Sequence, residues 1–381
     1  MRDRELLASL CAATGFGPTA AWAACFRQPD FPWERFIALA SHFKLTPVLH
    51  WRLGERGLAG SVPAEVLAYF EAAGSLMRDR NRRELQQLGR VARSLNRCGV
   101  RPVLLKGAAS LVVGTYPQGA GRFLSDIDLL VPQGAIEECV TALEAAGYRA
   151  DPAAVGRFRQ RRACFHHYPR IFHPQEPAGI ELHIALGRGE TLPRAAEVLS
   201  DAVAQGWRGA ELSLPAPRHR LLHCALHGLR DYRAGQPIAL RQLLEFCLIR
   251  QAWPEPRRPS CRRQAQALRR YGAFAQLLLG FADPQAGPAG ALDRVRVAAH
   301  LVRLIELPWL GAMATALALP GQLLPILMAQ PSSLARLTRA AFYRDRMGEL
   351  RRAGRGTRLA HRTSDGRSPA PSLTSSPQCF S

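Results

Sequence analysis

Between residues 98 and 186 the hydrophobic pattern leaves the helical period and breaks into short apolar runs, which dictates a sheet. Arg101-Pro-Val-Leu-Leu follows the turn signal Cys98-Gly99 and reads as a buried strand. A short helical stretch covers 108–113, and a second apolar run, 127–131, ends at Pro132. Residues 135–146 carry helical spacing (Ile136, Val140, Leu143) and stop at Gly147. Residues 163–172 and 179–186 are two further strand-like runs, parted by Pro174-Gln-Glu-Pro177. Strand, helix, strand, helix, strand, strand within about 90 residues is a small α/β sheet domain.

Helical regions flank it. From 65 to 96 the apolar residues Leu67, Phe70, Leu76, Leu85, Leu88, Val91 and Leu95 recur mostly every three or four positions, with arginines between them. The chain therefore divides into an N-terminal helical region (1–97), a sheet core (98–215) and a C-terminal helical region (216–348). The last region holds amphipathic stretches at 220–229 and 238–250 and a proline-rich connector at 253–259. The Arg/Ser/Pro/Gly tail, 349–381, has no apolar periodicity and is predicted to be disordered. The fold class is α+β or α/β. Residues 307–329 are almost free of charge and long enough to span a bilayer. Pro308, Pro320 and Pro325 break that stretch into two short helices, so a buried helical pair is expected rather than a membrane span.

The formal charge of +21 favours polyanionic partners such as a nucleoside triphosphate (NTP) or RNA. Its make-up tempers that reading, because Lys44 and Lys106 are the only lysines and the remainder are arginines, a bias that GC-rich coding produces without selection for binding. The nine cysteines are odd in number and never spaced Cys-x-x-Cys. That pattern is neither a zinc knuckle nor a disulfide framework, and it points to a reducing, cytoplasmic compartment. No signal-like apolar stretch opens the chain.

Lys106, one of two lysines, stands inside the most informative motif: Leu104-Leu-Lys-Gly-Ala-Ala-Ser-Leu, then Tyr116-Pro-Gln-Gly-Ala-Gly-Arg-Phe-Leu-Ser-Asp126-Ile-Asp128-Leu-Leu-Val. On a strand, residues two apart face the same side, so Asp126 and Asp128 project together. Side by side without a cation they repel, and one is driven to protonate. Divalent cations resolve that conflict, and Mg²⁺ takes oxygen ligands with phosphate and water completing its shell. Lys106-Gly107, between a strand and a helix, is where a main chain approaches phosphate closely. Lys106 supplies a point charge, Arg122 a fork matched to phosphate oxygens, and Ser125 a cap or phosphate contact.

This set resembles the family of uncharacterised nucleotidyltransferases within the DNA polymerase beta-like superfamily, and the likeness extends to toxin-type members. Its fold would be a small polymerase beta-like sheet domain between helical regions. The resemblance implies a metal-dependent transfer of a nucleoside monophosphate from an NTP, with Lys106 and Gly107 near phosphate and two Mg²⁺ (or Mn²⁺) ions on Asp126, Asp128 and a third carboxylate. Glu181, in Gly179-Ile-Glu-Leu-His-Ile, is the natural third acid, flanked by apolar Ile180 and Leu182 on the opposite face, with a role in deprotonating the acceptor. Further likeness lies in Leu39-Ala-Ser-His-Phe-Lys-Leu-Thr-Pro-Val-Leu and in Leu222-His-Cys-Ala-Leu-His with Leu240-Arg-Gln-Leu-Leu-Glu. The Gly-Ser of the wider superfamily is replaced here by Lys106-Gly107, so nucleotide preference does not transfer.

His183 shares the side of Glu181, and His219, His223 and His227 recur at i, i+4, i+8 on one helix stripe. No acid lies nearby on that helix, which argues against zinc. His183, His223 and His227 are the residues expected to wall an acceptor pocket, while His166-His167 is read as structural or pocket-lining. The acceptor stays open among a small molecule, a protein and RNA. Two competing readings remain: a toxin-like or regulatory RNA-binding protein that modifies tRNA ends, and a non-catalytic nucleotide-binding module.

Overall fold

One helix organises the molecule. In this computed structural model, which describes residues 1, 3–117, 120–187, 191–233, 239–254, 261–283 and 287–301, four short helices lead up to it: α1 (Asp3–Thr14), α2 (Ala20–Phe26), α3 (Trp33–His42) and α4 (Thr46–Glu55). Then α5 runs unbroken over Ala64–Arg97, 34 residues and about 50 Å at 1.5 Å per residue, ending at the predicted Cys98-Gly99 turn. Its first turns bury Val66 and Phe70 in a core of helices, and its last turns bury Leu88, Val91 and Leu95 in the core beneath the sheet. Between the two the apolar stripe breaks. Leu76 is 73% exposed, and the buried face is taken over by the polar side chains Asn81, Glu84 and Gln87.

The sheet region follows: β1 (Val103–Leu104), α6 (Lys106–Val112), β2 (Asp126–Leu130), α7 (Ile136–Ala145), β3 (Arg149–Ala150), α8 (Pro152–Gln160), β4 (Ile171–Phe172), β5 (Gly179–His183), α9 (Ala195–Ser200), β6 (Val203–Trp207) and β7 (Ala210–Leu214). The strands form one mixed sheet in the order β3-β4-β5-β2-β1-β7-β6. At its centre β2 pairs parallel with β5 and antiparallel with β1. Ile127, Leu129, Ile180 and Leu182 face the core shared with α5 and α7, which leaves the alternate positions for the opposite face.

Two departures from the sequence reading concern strands. The run 163–172 is mostly not a strand: Arg162–Cys164 is a 3₁₀ turn, His167 makes an isolated bridge to His183, and only Ile171–Phe172 forms a strand. Tyr168 N–H still donates to Leu182 of β5 and the His166 carbonyl accepts from Ile184 just beyond it, but Pro169 has no N–H and interrupts the ladder. The β6–β7 hairpin is an addition. Its two-residue turn, Arg208-Gly209, has positive φ at both positions (50° and 72°), which matches the twist of an antiparallel pair. The hairpin joins the sheet by parallel pairing of Val103 with Ser213.

The C-terminal helices α10 (Pro217–Arg233), α11 (Leu240–Ala252), α12 (Arg262–Leu279) and α13 (Ala291–Leu301) complete the described chain. Leu221, Leu243, Phe246 and Phe274 from these helices share one core with Leu6, Leu10, Phe36 and Leu49 from the N-terminal ones. The two helical flanks therefore form a single body beside the sheet. The segment 307–329 and the tail 349–381 lie outside the described residues. Among the described residues no helix is long and apolar enough to cross a membrane.

Candidate active site

Parallel pairing of β2 with β5 sets Asp126 across from Gly179 and Asp128 across from Glu181. Paired residues of neighbouring strands project to the same side, so Asp126, Asp128, Glu181 and His183 stand on one face. Sequence alternation thus brings together three carboxylates and an imidazole. Asp128 Oδ1 accepts hydrogen bonds from Lys106 Nζ at 2.6 Å and from His183 Nε2 at 2.8 Å. Lys106 Nζ lies 4.0 Å and His183 Nε2 3.5 Å from Glu181 Oε2. On the other flank, Arg170 Nη2 donates to Asp126 Oδ2 at 2.8 Å and to Glu181 Oε1 at 3.2 Å.

These contacts set the charge states. Burial works against ionisation of Asp128, but the Lys106 charge and the His183 hydrogen bond outweigh it and hold the carboxyl well below the usual range. For Glu181 burial is likewise overcome, chiefly by the bond to His183, and its pKa is lowered. Asp126 goes the other way. Burial dominates the Ser125 and Arg170 contacts, and with Glu181 and Asp128 adding repulsion its pKa is raised. Burial disfavours the His183 imidazolium, yet its bonds to Asp128 and Glu181 raise its pKa.

Asp128, Glu181 and His183 each bring a ligand atom within 4.8 Å of the others, and Asp126 Oδ1 is buried with no hydrogen-bond partner. An unpartnered buried carboxylate oxygen beside two more carboxylates fits a hard, oxygen-seeking cation. His183 is 1% exposed and already bonded to Asp128. It therefore suits the supporting position behind a ligating carboxylate rather than the wall of an acceptor pocket.

Lys106 opens α6 in a left-handed conformation, φ 46°, strained for a residue with a Cβ. That turn sends its ammonium to Asp128. At Gly107 a side chain, too, leaves no room for a Cβ. A Cβ at Gly107 would overlap the guanidinium of Arg122, so the close neighbour is that side chain. Arg122, read from sequence as a phosphate fork, is 4% exposed. Its Nε and Nη2 donate to Glu245 Oε2, its Nη1 to the Phe123 carbonyl at 2.9 Å, and Ser110 donates to the other Glu245 oxygen. The arginine is committed to a buried ion pair linking the sheet to α11 because Glu245, far along the chain, offers both charge and shape. Ser125 precedes Asp126, and its hydroxyl favours that carboxylate's charged form.

His219, His223 and His227 line a cavity between α6, α10 and α11 that Lys106 also lines. His223 is buried with Nε2 unpartnered, and His219 Nε2 lies 2.7 Å from Asp201 Oδ2. Glu197, Asp201 and His219 form a second three-group cluster, its acids coming from α9 and the residue after it. Asp201 is occupied by Arg218 as well as His219. His166 and His167 meet edge to face beside His183, and His167 Nδ1 lies 2.8 Å from the Tyr168 carbonyl.

Three contributors had no sequence signal. Arg170 lies opposite Glu181 only because Ile171 pairs with Ile180. Asn81 clamps both N–H and C=O of Arg122, and Gln87 does the same for Ala178, just before β5. The polar middle of α5 thus fixes the ends of both carboxylate-bearing strands.

A family model described as uncharacterised nucleotidyltransferase matches residues 29–282, a span that takes in the helical flanks as well as the sheet. No curated protein and no solved structure matches the chain.

Proposed function

We propose, for a chain that belongs to the uncharacterised nucleotidyltransferase family, the transfer of a nucleoside monophosphate from an NTP to an acceptor hydroxyl or phosphate. The observation that supports it is the placement of Asp126, Asp128 and Glu181 on one face of β2 and β5, with one carboxylate oxygen buried and unpartnered. Asp126, Asp128 and Glu181 would hold two Mg²⁺ or Mn²⁺ ions. Bound there, such ions supply neutralisation of the phosphoryl oxygens and of the attacking and leaving oxygens.

The chain's own groups do the rest. Lys106, whose ammonium pairs with Asp128, swings it to the phosphates of the incoming nucleotide. Glu181 accepts the acceptor's hydrogen bond and takes its proton. The acceptor oxygen attacks the α-phosphorus, a new P–O bond forms and the α–β anhydride breaks. Pyrophosphate then leaves with the bonding electron pair. His183 keeps Asp128 oriented throughout.

The test is incubation with each of the four α-labelled NTPs, Mg²⁺ or Mn²⁺ and host lysate, followed by mass spectrometry of labelled products. Transfer is expected with the wild type and absent from Asp128→Asn. If no NTP yields a labelled product with either metal, the transferase reading is wrong and a binding role takes its place.

A further inference from the structure

Behind Lys106, α6, α10 and α11 border a cavity of about 100 Å³ whose wall is unusually basic. Lys106, Arg122, Arg220, Arg241 and His223 line it, and among the described residues Glu245 is its one carboxylate. Both Glu245 oxygens are taken, by Arg122 and Ser110. Lys106 is matched by Asp128. Arg220 reaches only the hydroxyls of Thr115 and Ser110, and its Nε is buried without a partner. Arg241 reaches the Phe123 carbonyl. No described carboxylate forms an ion pair with either arginine.

Two guanidinium charges are therefore held half-buried with one shared carboxylate nearby, Glu245, which is already paired with Arg122. Burial lowers the pKa of both. An arginine-rich composition does not account for this, because surplus arginine is accommodated on the surface, where hydration is retained. A charge withdrawn from water without an ion-pair partner is strongly disfavoured. His223 adds an independent sign: the side chain is 4% exposed, and its unpartnered Nε2 belongs to the same wall.

We propose that this cavity is a diphosphate site, which receives the β- and γ-phosphates of the NTP and then holds the departing pyrophosphate. It rests on the transferase reading above. Lys106 belongs both to the cavity and to the carboxylate face, so it marks the junction where the α-phosphate ends and the diphosphate begins. When the α–β anhydride breaks, its electron pair adds negative charge to the β-phosphate oxygen. Arg220 and Arg241 supply the forks that meet it, and the His223 Nε2–H donates alongside.

The experiment is calorimetric titration of the full chain with sodium pyrophosphate in excess chelator, with inorganic phosphate as the smaller probe. Saturable binding is expected, tighter for pyrophosphate. Arg220→Gln and Arg241→Gln should each weaken it by about tenfold, while Asp126→Asn, outside the cavity, should bind as the wild type does. Arg220→Lys and Arg241→Lys, which keep the charge and lose the fork, guard against a glutamine variant that fails to fold; each should bind more weakly with an unchanged circular dichroism spectrum. Wild-type protein that ignores pyrophosphate, or arginine variants that bind it normally, would overturn the site even if NTP transfer is observed. Pyrophosphate binding with this arginine dependence but without transfer from any NTP leaves the anion site standing and removes the transferase reading alone.

Discussion

The guanidinium of Arg122 lies against the Cα of Gly107 so closely that a methyl group there would overlap it. The side chain has no free direction in which to move, since Glu245 holds Nε and Nη2 and the Phe123 carbonyl holds Nη1. Gly107→Ala should therefore cost about 2 kcal/mol or more through overpacking, and part of the loss comes from distortion of the ion pair. Calorimetric melting checks this; an unchanged melting temperature would show that the pair slides aside freely.

Arg122 and Glu245 should behave as a unit. Arg122→Met leaves a buried carboxylate and Glu245→Leu a buried guanidinium, each expected to cost about 3–5 kcal/mol. The double variant should recover part of that loss, because neither member of the pair is left buried without the other, although Arg220 and Arg241 still lose the cavity's one described carboxylate. Urea melts of the four proteins measure the coupling. Purely additive losses would mean that water reaches the pair.

Acid should destabilise the fold in two stages. Burial first, then the Lys106 charge, holds the His223 pKa well below its ordinary value, and burial followed by His167 and His183 takes His166 down to about 3. Unfolded histidines bind protons near pH ~6.5, so the stability these two contribute is complete above that pH and falls away below it. His183, whose pKa is raised, acts in the opposite sense, its contribution present at low pH and lost as pH climbs through the folded value. Glu245, whose pKa is lowered because Arg122 and Ser110 overcome the cost of burial, adds a second loss below pH ~4.3. His223→Gln should flatten the upper stage only. Parallel stability curves for that variant and the wild type would argue that His223 is hydrated.

The three carboxylates should separate by role. Glu181→Gln should keep NTP binding but lower transfer by about 100-fold or more, since the amide preserves shape and removes charge. Asp126→Asn should lose divalent-ion binding while melting within a few degrees of the wild type, because burial already works against the charged form and Arg170 keeps its bond to Glu181. Manganese titration followed by single-turnover transfer distinguishes them, and normal turnover by Glu181→Gln would remove that residue from the chemistry.

What the sequence made readable was local. Alternation around Asp126-Ile-Asp128 and Ile180-Glu181-Leu182 puts the acids on one face, and the period from 65 to 96 gives α5 to within a residue at each end. The failures involve partners brought together only by folding. Arg122 looks like any arginine near a phosphate motif until Glu245 is found 123 positions away, and nothing near Gln87 announces that it clamps Ala178, 91 positions on. The missed hairpin differs: the positive-φ pair Arg208-Gly209 was visible as an X-Gly turn, but β6 is almost wholly exposed and shows no apolar alternation.

The long helix α5 ties one half of the molecule to the other as a beam shared by two rooms. Its first turns belong to the helical core, its last turns to the sheet core, and its polar middle grips the strands that carry the acids. Excising residues 98–215 would therefore uncover the apolar underside of β2 and β5 and release both grips at once. Such a fragment should collapse or aggregate rather than fold, and the carboxylate face exists only while the helical body stands.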